Sequence, residues 1–285
     1  MSAGWDVKAL TGLGRVEFEN TRNLGSGNGY ARLPVPPGGH LFEHFELNRS
    51  YADTDVFVSL AKLKNHRTAG VTLSMKNLFG ITPNSLYGDE AQREDAVKGR
   101  GRMHARGVWD ARMFPGAKQG VLAHNAGYHV PRVIADLCAA RPVDLAIVDG
   151  ITAMAGGEGP WTPPLRFTEP GVLIAGLNPV STDAVATALM GYSNPRAPAG
   201  TPPFESCDNH LLLAEQLVSG PPISHGSRFS ARRSRRRAIH MPGSPPAAGA
   251  RSSAARSSRG TPPTPPTSTI VQASVERLHS RGDRG

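Results

Sequence analysis

The sequence predicts an α/β fold, a mostly parallel sheet with flanking helices, and three observations carry that prediction. DVFVSLAKL (55–63), DLAIVDG (144–150) and GVLIAGL (171–177) are short runs, apolar on both faces, as strands buried inside a sheet must be. Segments with helical spacing alternate with them, which is the order of a layered α/β domain. Polar and glycine-rich residues follow each run, where ligands gather in sheets of this kind.

The elements follow in order. RVEFEN (15–20) alternates like a short strand. LPVPPGG (33–39) cannot lie inside a helix, because proline removes donors and glycine is permissive. HLFEHFELNR (40–49) fits either a strand pair or a helical turn. DVFVSLAKL is a strand with a β-branched, aromatic start, and KNHRT breaks it as a polar loop. In AGVTLSMKNLFG, Val71, Met75, Leu78 and Phe79 have helical spacing, with Gly80 as the stop and Pro83 beyond. Residues 81–130 are polar and glycine-rich without a clear period, as in a functional excursion or mobile loop. HVPRVIADLCAA (129–140) is a helix with Pro131 in its first turn and Val133, Ile134, Leu137 and Cys138 on one face. NPVSTDAVATALMGY (178–192) is a helix with Ser181 or Thr182 as N-cap and Gly191 as stop. DNHLLLAEQLVSG (208–220) is a last helix, capped by Asp208 or Asn209.

The formal charge of +9 is unevenly placed. Residues 1–220 hold 20 Lys+Arg against 21 Asp+Glu, whereas residues 221–285 hold 12 Arg, no Lys and 2 acids. The tail therefore carries the excess, and with 9 Pro and 12 Ser it is expected to be disordered. A basic tail of this kind suits nucleic acid or an acidic partner. An inert linker fits too, and so does an out-of-frame reading of a GC-rich gene, in which Lys vanishes and Arg, Ser, Pro, Ala and Gly dominate. The frame-shifted reading is preferred, which leaves nucleic acid a weak expectation. Three regions result: a partial N-terminal segment (1–49), an α/β domain (50–220) and the tail (221–285). Two cysteines are too few for a cysteine-ligated iron–sulfur cluster or a four-cysteine zinc site. No apolar run approaches the roughly 18 residues of a membrane helix. MSAGWDVKALTGLG has neither the basic nor the apolar part of a signal peptide, so the cytoplasm is the default expectation unless residues precede Met1.

Candidate chemistry sits in three places. Lys62 and Lys64 share one strand face, His66 follows, and Lys76 and Asn77 lie on the next helix. Such a cluster suits a carboxylate or phosphate, or a lysine whose pKa is depressed for base or nucleophile work. A solvated loop with a snorkelling lysine gives the same pattern. Asp149 closes a strand ahead of Gly156, Gly157, Glu158 and Gly159, where backbone N–H groups can cradle an anion. An ordinary Asp-Gly turn reads identically. Asp183 follows the third strand near a helix start, where it either supplies a carboxylate or only favours the helix dipole. His40 and His44 lack a zincin glutamate, and His124, His129 and His210 are scattered, so they name no metal. Cys138 reads as a helix-core residue, and there is no Gly-x-Ser-x-Gly elbow.

SLAKLKNHRTAGVTLSMKNLFGI (59–81) resembles the central signature of the domain-of-unknown-function family 362: a strand, a Lys-x-Lys-x-His loop, then a Val-Thr-x-x-x-Lys-Asn-x-x-Gly helix. LAIVDGITAMAGGEGP (145–160) is similar to its second signature, and GVLIAGLNPVSTDAVATALMGY (171–192) to its third, with Pro-Val-x-x-Asp-Ala on the helix. The three stand in the family's order across roughly residues 50–217. The resemblance implies an α/β domain of unsettled activity. Some members carry a ferredoxin-like segment with two four-iron clusters or an export signal, neither of which is visible here, so a ferredoxin-type partner is implied instead. Residues 1–50 lack the family's Lys-Pro-Asn segment, and a tail stands where a closing strand is normal. The expectation is a fragment with a lost start and an altered end.

Function follows as an expectation. An enzyme-like site at strand ends binds a small anionic ligand, with or without a divalent metal. Lys62, Lys64, His66 and Lys76 supply cations and proton transfer, Asp149 and Asp183 carboxylates, and Asn77, Gly156, Gly157 and Gly159 ligand contacts. The alternative is a non-catalytic binding or redox-partner module whose signatures only hold the fold.

Overall fold

The computed structural model describes residues 29–93, 99–106, 110–119, 128–162, 165–218 and 269–273, with isolated positions 16, 19 and 21. The strand expected at 15–20 lies largely outside these residues, as does most of the tail.

The chain is α/β, with a mixed sheet and helices packed on one face. Strands β1 (Tyr30–Pro34) and β2 (His44–Asn48) form an antiparallel hairpin, which settles the 40–49 ambiguity in favour of strand. Helix α1 (Ser50–Asp53) leads into β3 (Val58–His66), which turns back as β4 (Gly70–Thr72). Helix α2 (Ser74–Asn77) and a 3-10 turn (Leu78–Ile81) follow. Short helices α3 (Asn84–Tyr87) and α4 (Gly101–His104) and a 3-10 turn (Ala111–Met113) punctuate the polar stretch before α5 (Val130–Ala140). Then come β5 (Leu145–Ala155), β6 (Arg166–Thr168), β7 (Val172–Gly176), α6 (Pro179–Leu189), α7 (His210–Val218) and β8 (Thr269–Ala273). The large sheet runs β4-β3-β5-β7-β8, with β6 also paired to β5.

Parallel pairing holds for β3 with β5 and for β7 with β8. Antiparallel pairing joins β3 to β4, and β5 to both β6 and β7. The reason is what the connection contains. A parallel return needs a crossover of about a dozen residues or more, usually a helix. The chain between β5 and β7 contains only the short strand β6 in its described part. Strand β8 is the described part of the tail and pairs parallel with β7.

Several boundaries move. The 55–63 strand starts later and runs on through Lys64, Asn65 and His66, so these are strand residues rather than loop. The helix expected over 69–80 splits. Val71 lies in β4, paired with Asn65, and only Ser74–Asn77 is α-helical. Gly70 makes the hairpin turn possible, at φ +75° with a Cβ position only 2.7 Å from the Phe204 ring. Strand β5 continues through ITAMA, so Asp149 sits mid-strand, opposite Lys62, and not at a strand end. Gly150 makes no turn there. A Cβ would stand 2.8 Å from Val172 and 2.9 Å from Leu63, so the position serves close packing. Helix α6 is capped by Asn178, whose Oδ1 accepts the Ser181 N–H at 2.9 Å, so Ser181 and Thr182 lie inside it. For α7, Asn209 Oδ1 accepts the Leu211 N–H at 2.9 Å, which selects Asn209 over Asp208.

The core lies on one side of the sheet. Ser59, Ala61 and Leu63 of β3, Ala146 and Val148 of β5, and Val172 and Ile174 of β7 are buried on that face. Helix α2 packs on β3 and β5, α6 on β5 and β7, and α5 against α7 behind them. As expected, α5 buries Val133, Ile134, Leu137 and Cys138; each large aliphatic contributes ~1.5–3 kcal/mol. Leu33, Phe42, Phe45 and Leu47 of the hairpin region join the same core. The opposite face of the sheet presents Leu60 and Lys62 outward.

Candidate functional site

Strand alternation aims Leu60, Lys62, Lys64 and His66 away from the core. A register shift against β5 between Lys62 and Lys64 then divides this row. Lys62 ends in an ion pair with Asp149 at 2.7 Å, and Asp149 also accepts the Ile151 N–H at 2.9 Å. Both side chains are about a third exposed, and such pairs contribute ~0–1 kcal/mol. Two expected site residues thus satisfy each other.

Lys64 and His66 turn into a pocket of about 500 Å³, also lined by Thr68, Thr72, Lys76, Asn77, Phe79, His104, Glu158 and Trp161. The β3–β4 hairpin sets Thr72 opposite Lys64. Helix α2 brings Lys76, and the 3-10 turn brings Phe79. Helix α4 delivers His104, held because Asp89 accepts the Gly101 and Arg102 N–H groups at 2.9 and 3.0 Å.

The pocket is cationic and short of acceptors. Lys76 is buried, and among the described residues its Nζ has no hydrogen-bond acceptor; it lies 4.2 Å from the Phe79 ring centroid. Burial, with the Lys64 charge nearby, holds its ammonium down at about 7. Lys64 donates to the Glu158 carbonyl at 3.2 Å and is also lowered by burial. The Glu158 carboxylate lines the pocket and favours the charge on both lysines, though burial outweighs it, and it accepts the Arg67 N–H at 3.0 Å. The Thr72 hydroxyl is buried and has no hydrogen-bond partner among the described residues.

The two histidines present opposite faces. His66 Nδ1 accepts the Thr68 N–H at 3.2 Å, so the neutral ring carries its proton on Nε2. His104 Nδ1 lies 2.9 Å from the Arg100 carbonyl, which only a donor satisfies, so its Nε2 keeps the lone pair. Burial and the adjacent Lys76 push His66 down to about 2 and His104 down to about 4, so both are neutral at pH 7. The rings are parallel, with centroids 6.1 Å apart. One neutral histidine offers a donor and the other an acceptor.

The remaining candidates build the walls. Asn77 donates to Ser59 Oγ at 3.2 Å and the Leu60 carbonyl at 3.3 Å, tying α2 to β3. Asp183 lies outside the pocket lining, fully buried. It accepts the Ser74 N–H and O–H at 2.9 and 2.6 Å and the Met75 N–H at 2.9 Å. It therefore caps the helix that carries Lys76, rather than its own. The Gly156 N–H goes to Asn65 Oδ1 at 3.1 Å and the Gly159 N–H to Thr162 Oγ1 at 3.3 Å. A Cβ on Gly157 would run into Thr162, and one on Gly159 into the Trp161 ring. The glycine loop folds on itself and sends Glu158 and Trp161 to the pocket. Sequence reading missed His104, Thr72 and Phe79 as pocket residues. Among the described residues no three His, Cys, Asp or Glu side chains converge as a metal requires.

A family model described as "Domain of unknown function (DUF362)" matches residues 9–188. A thylakoid-associated protein of Synechocystis sp. is 27% identical over 187 residues, covering 61% of this chain and 48% of that protein. The chain thus spans about half the length of this curated relative. No solved structure matches.

Proposed function

Because the chain belongs to the DUF362 family, whose name assigns no activity, its function is read from the pocket, and we propose that this pocket binds a small anionic ligand in an enzyme-like site. The observation that carries the reading is the convergence of Lys64 and a buried Lys76, neither in an ion pair among the described residues, in a cavity of about 500 Å³. Glu158 favours the charge on both lysines, but burial outweighs it; a cation kept this way is costly, and a bound anion offsets that cost. The neutral histidines and the Thr72 hydroxyl add a directional donor, an acceptor and a further hydroxyl. In this reading the protein's own cations hold the ligand.

The test is calorimetric titration of the full chain with phosphate and, separately, lactate. Saturable one-to-one binding of either is expected, weakened at least about tenfold in Lys64→Ala and Lys76→Met, the worth of one charge-assisted hydrogen bond. Lys62→Ala, outside the pocket, leaves it unchanged. Binding that ignores Lys64 and Lys76, or no binding of either anion, would overturn the proposal. It would favour a non-catalytic module, in which the signature residues only hold the fold.

A further inference from the structure

We infer that Lys76 is an imine-forming nucleophile whose substrate class is the small 2-oxo acids. The inference rests on the anion-binding reading and goes beyond it by assigning a covalent step. A lysine that only counts as charge suits the surface, where water solvates it. Lys76 instead lies buried in the pocket, against a ring face and, among the described residues, without an acceptor, fixed by a helix that a second buried residue caps. Desolvation beside a second cation is how a protein keeps an amine neutral and nucleophilic near pH 7. The surroundings supply the rest of the reaction. Lys64 pairs with the substrate carboxylate. The His66 Nε2–H and the Thr72 hydroxyl donate to the ketone oxygen as it gains charge. The His104 Nε2 lone pair takes the proton that the amine must shed.

The step balances. The Nζ lone pair of the neutral amine forms a C–N bond as the carbonyl π pair moves to oxygen, giving a carbinolamine after proton transfer. The nitrogen lone pair then closes the C=N bond, the C–O bond breaks, and the oxygen leaves as water. Counted from the ammonium, one lysine and one 2-oxo acid give one protonated imine and one water, with no redox partner.

The test is pyruvate with sodium borohydride on the full chain, followed by intact mass and peptide mapping. One carboxyethyl group per chain on Lys76 is expected. The adduct is lost in Lys76→Met, while the yield at low pyruvate falls about tenfold in Lys64→Ala. Excess lactate, which has the carboxylate but no ketone, suppresses it. An adduct on Lys64, or spread over several lysines, would overturn the assignment. So would no adduct alongside intact lactate binding, which leaves the anion site standing. Loss of lactate binding as well would remove both readings. A urea midpoint for the Lys76→Met variant that is no lower than the parent's shows that the lost adduct reflects the amine and not the fold.

Discussion

Replacing Asp183 with alanine removes the acceptor for three donors at once, the Ser74 and Met75 N–H groups and the Ser74 hydroxyl. The site is fully buried, so water cannot replace the carboxylate without opening the core. The hydroxyl can rotate toward another acceptor, but the two N–H groups are fixed by the backbone. At ~1–3 kcal/mol for each buried donor left unpaired, the loss comes to roughly 2–6 kcal/mol. Burial, which pushes the Asp183 carboxyl up to about 7, shows that ionising this group is itself costly, and losing that penalty moves the expectation into the lower half of the range, about 3 kcal/mol. Asp183→Asn keeps the shape and one acceptor oxygen, so it costs roughly half as much. Urea denaturation at pH 7, with slopes compared to exclude a changed unfolded state, measures both. An alanine variant within about 1 kcal/mol of the parent, or an asparagine variant as damaged as alanine, would refute the capping argument.

Other predictions follow from the same geometry. Lys76→Met removes a buried amine that has no acceptor among the described residues and raises stability by about 1–3 kcal/mol while weakening lactate binding at least about tenfold; a drop in stability in chemical denaturation would contradict the reading of Lys76 as costly. His104 is depressed from 6.5 to about 4, so the stability it contributes is present above pH 6.5 and is lost as pH falls toward 4. The parent should thus lose up to about 3 kcal/mol relative to His104→Asn across that window, and parallel pH profiles would exclude the burial. Gly70→Ala forces a side chain into φ +75° and against Phe204, costing ~2–4 kcal/mol by thermal melting; an unchanged midpoint would mean that the hairpin turn is wrong.

The sequence made some parts of this fold legible because they depend on local pattern. The cores of β3, β5 and β7 show as apolar runs, and α5 and α6 as spaced apolar residues with a proline in the first turn. Pairing direction was not legible, since it depends on the connection between β5 and β7 and not on either strand's composition. Val71 fits a helical period with Met75 and Leu78, yet belongs to the hairpin, because three residues are too few for a period to distinguish. Of the expected site, Lys64, His66, Lys76 and Asn77 do reach one pocket, since strand and helix are adjacent in the chain. Lys62 and Asp149 face each other, a relation fixed by register, which no single strand encodes. His104 was hidden in the stretch with no period, and only the Asp89 cap places it. The Asn178-Pro179 pair was a readable signal for the true helix cap, outranking the serine and threonine after it.

The cap on α2 also governs when the pocket can exist. A four-residue helix has no stability of its own in water. The group that pins it comes from 109 residues further along the chain. During synthesis, Lys64, His66 and Lys76 leave the ribosome long before Asp183, and until α6 docks they are ordinary solvated side chains with ordinary basicity. Desolvation is therefore deferred: the lysine is buried only when the third signature closes over the first, so a nascent or partly folded chain carries the pocket residues without the pocket.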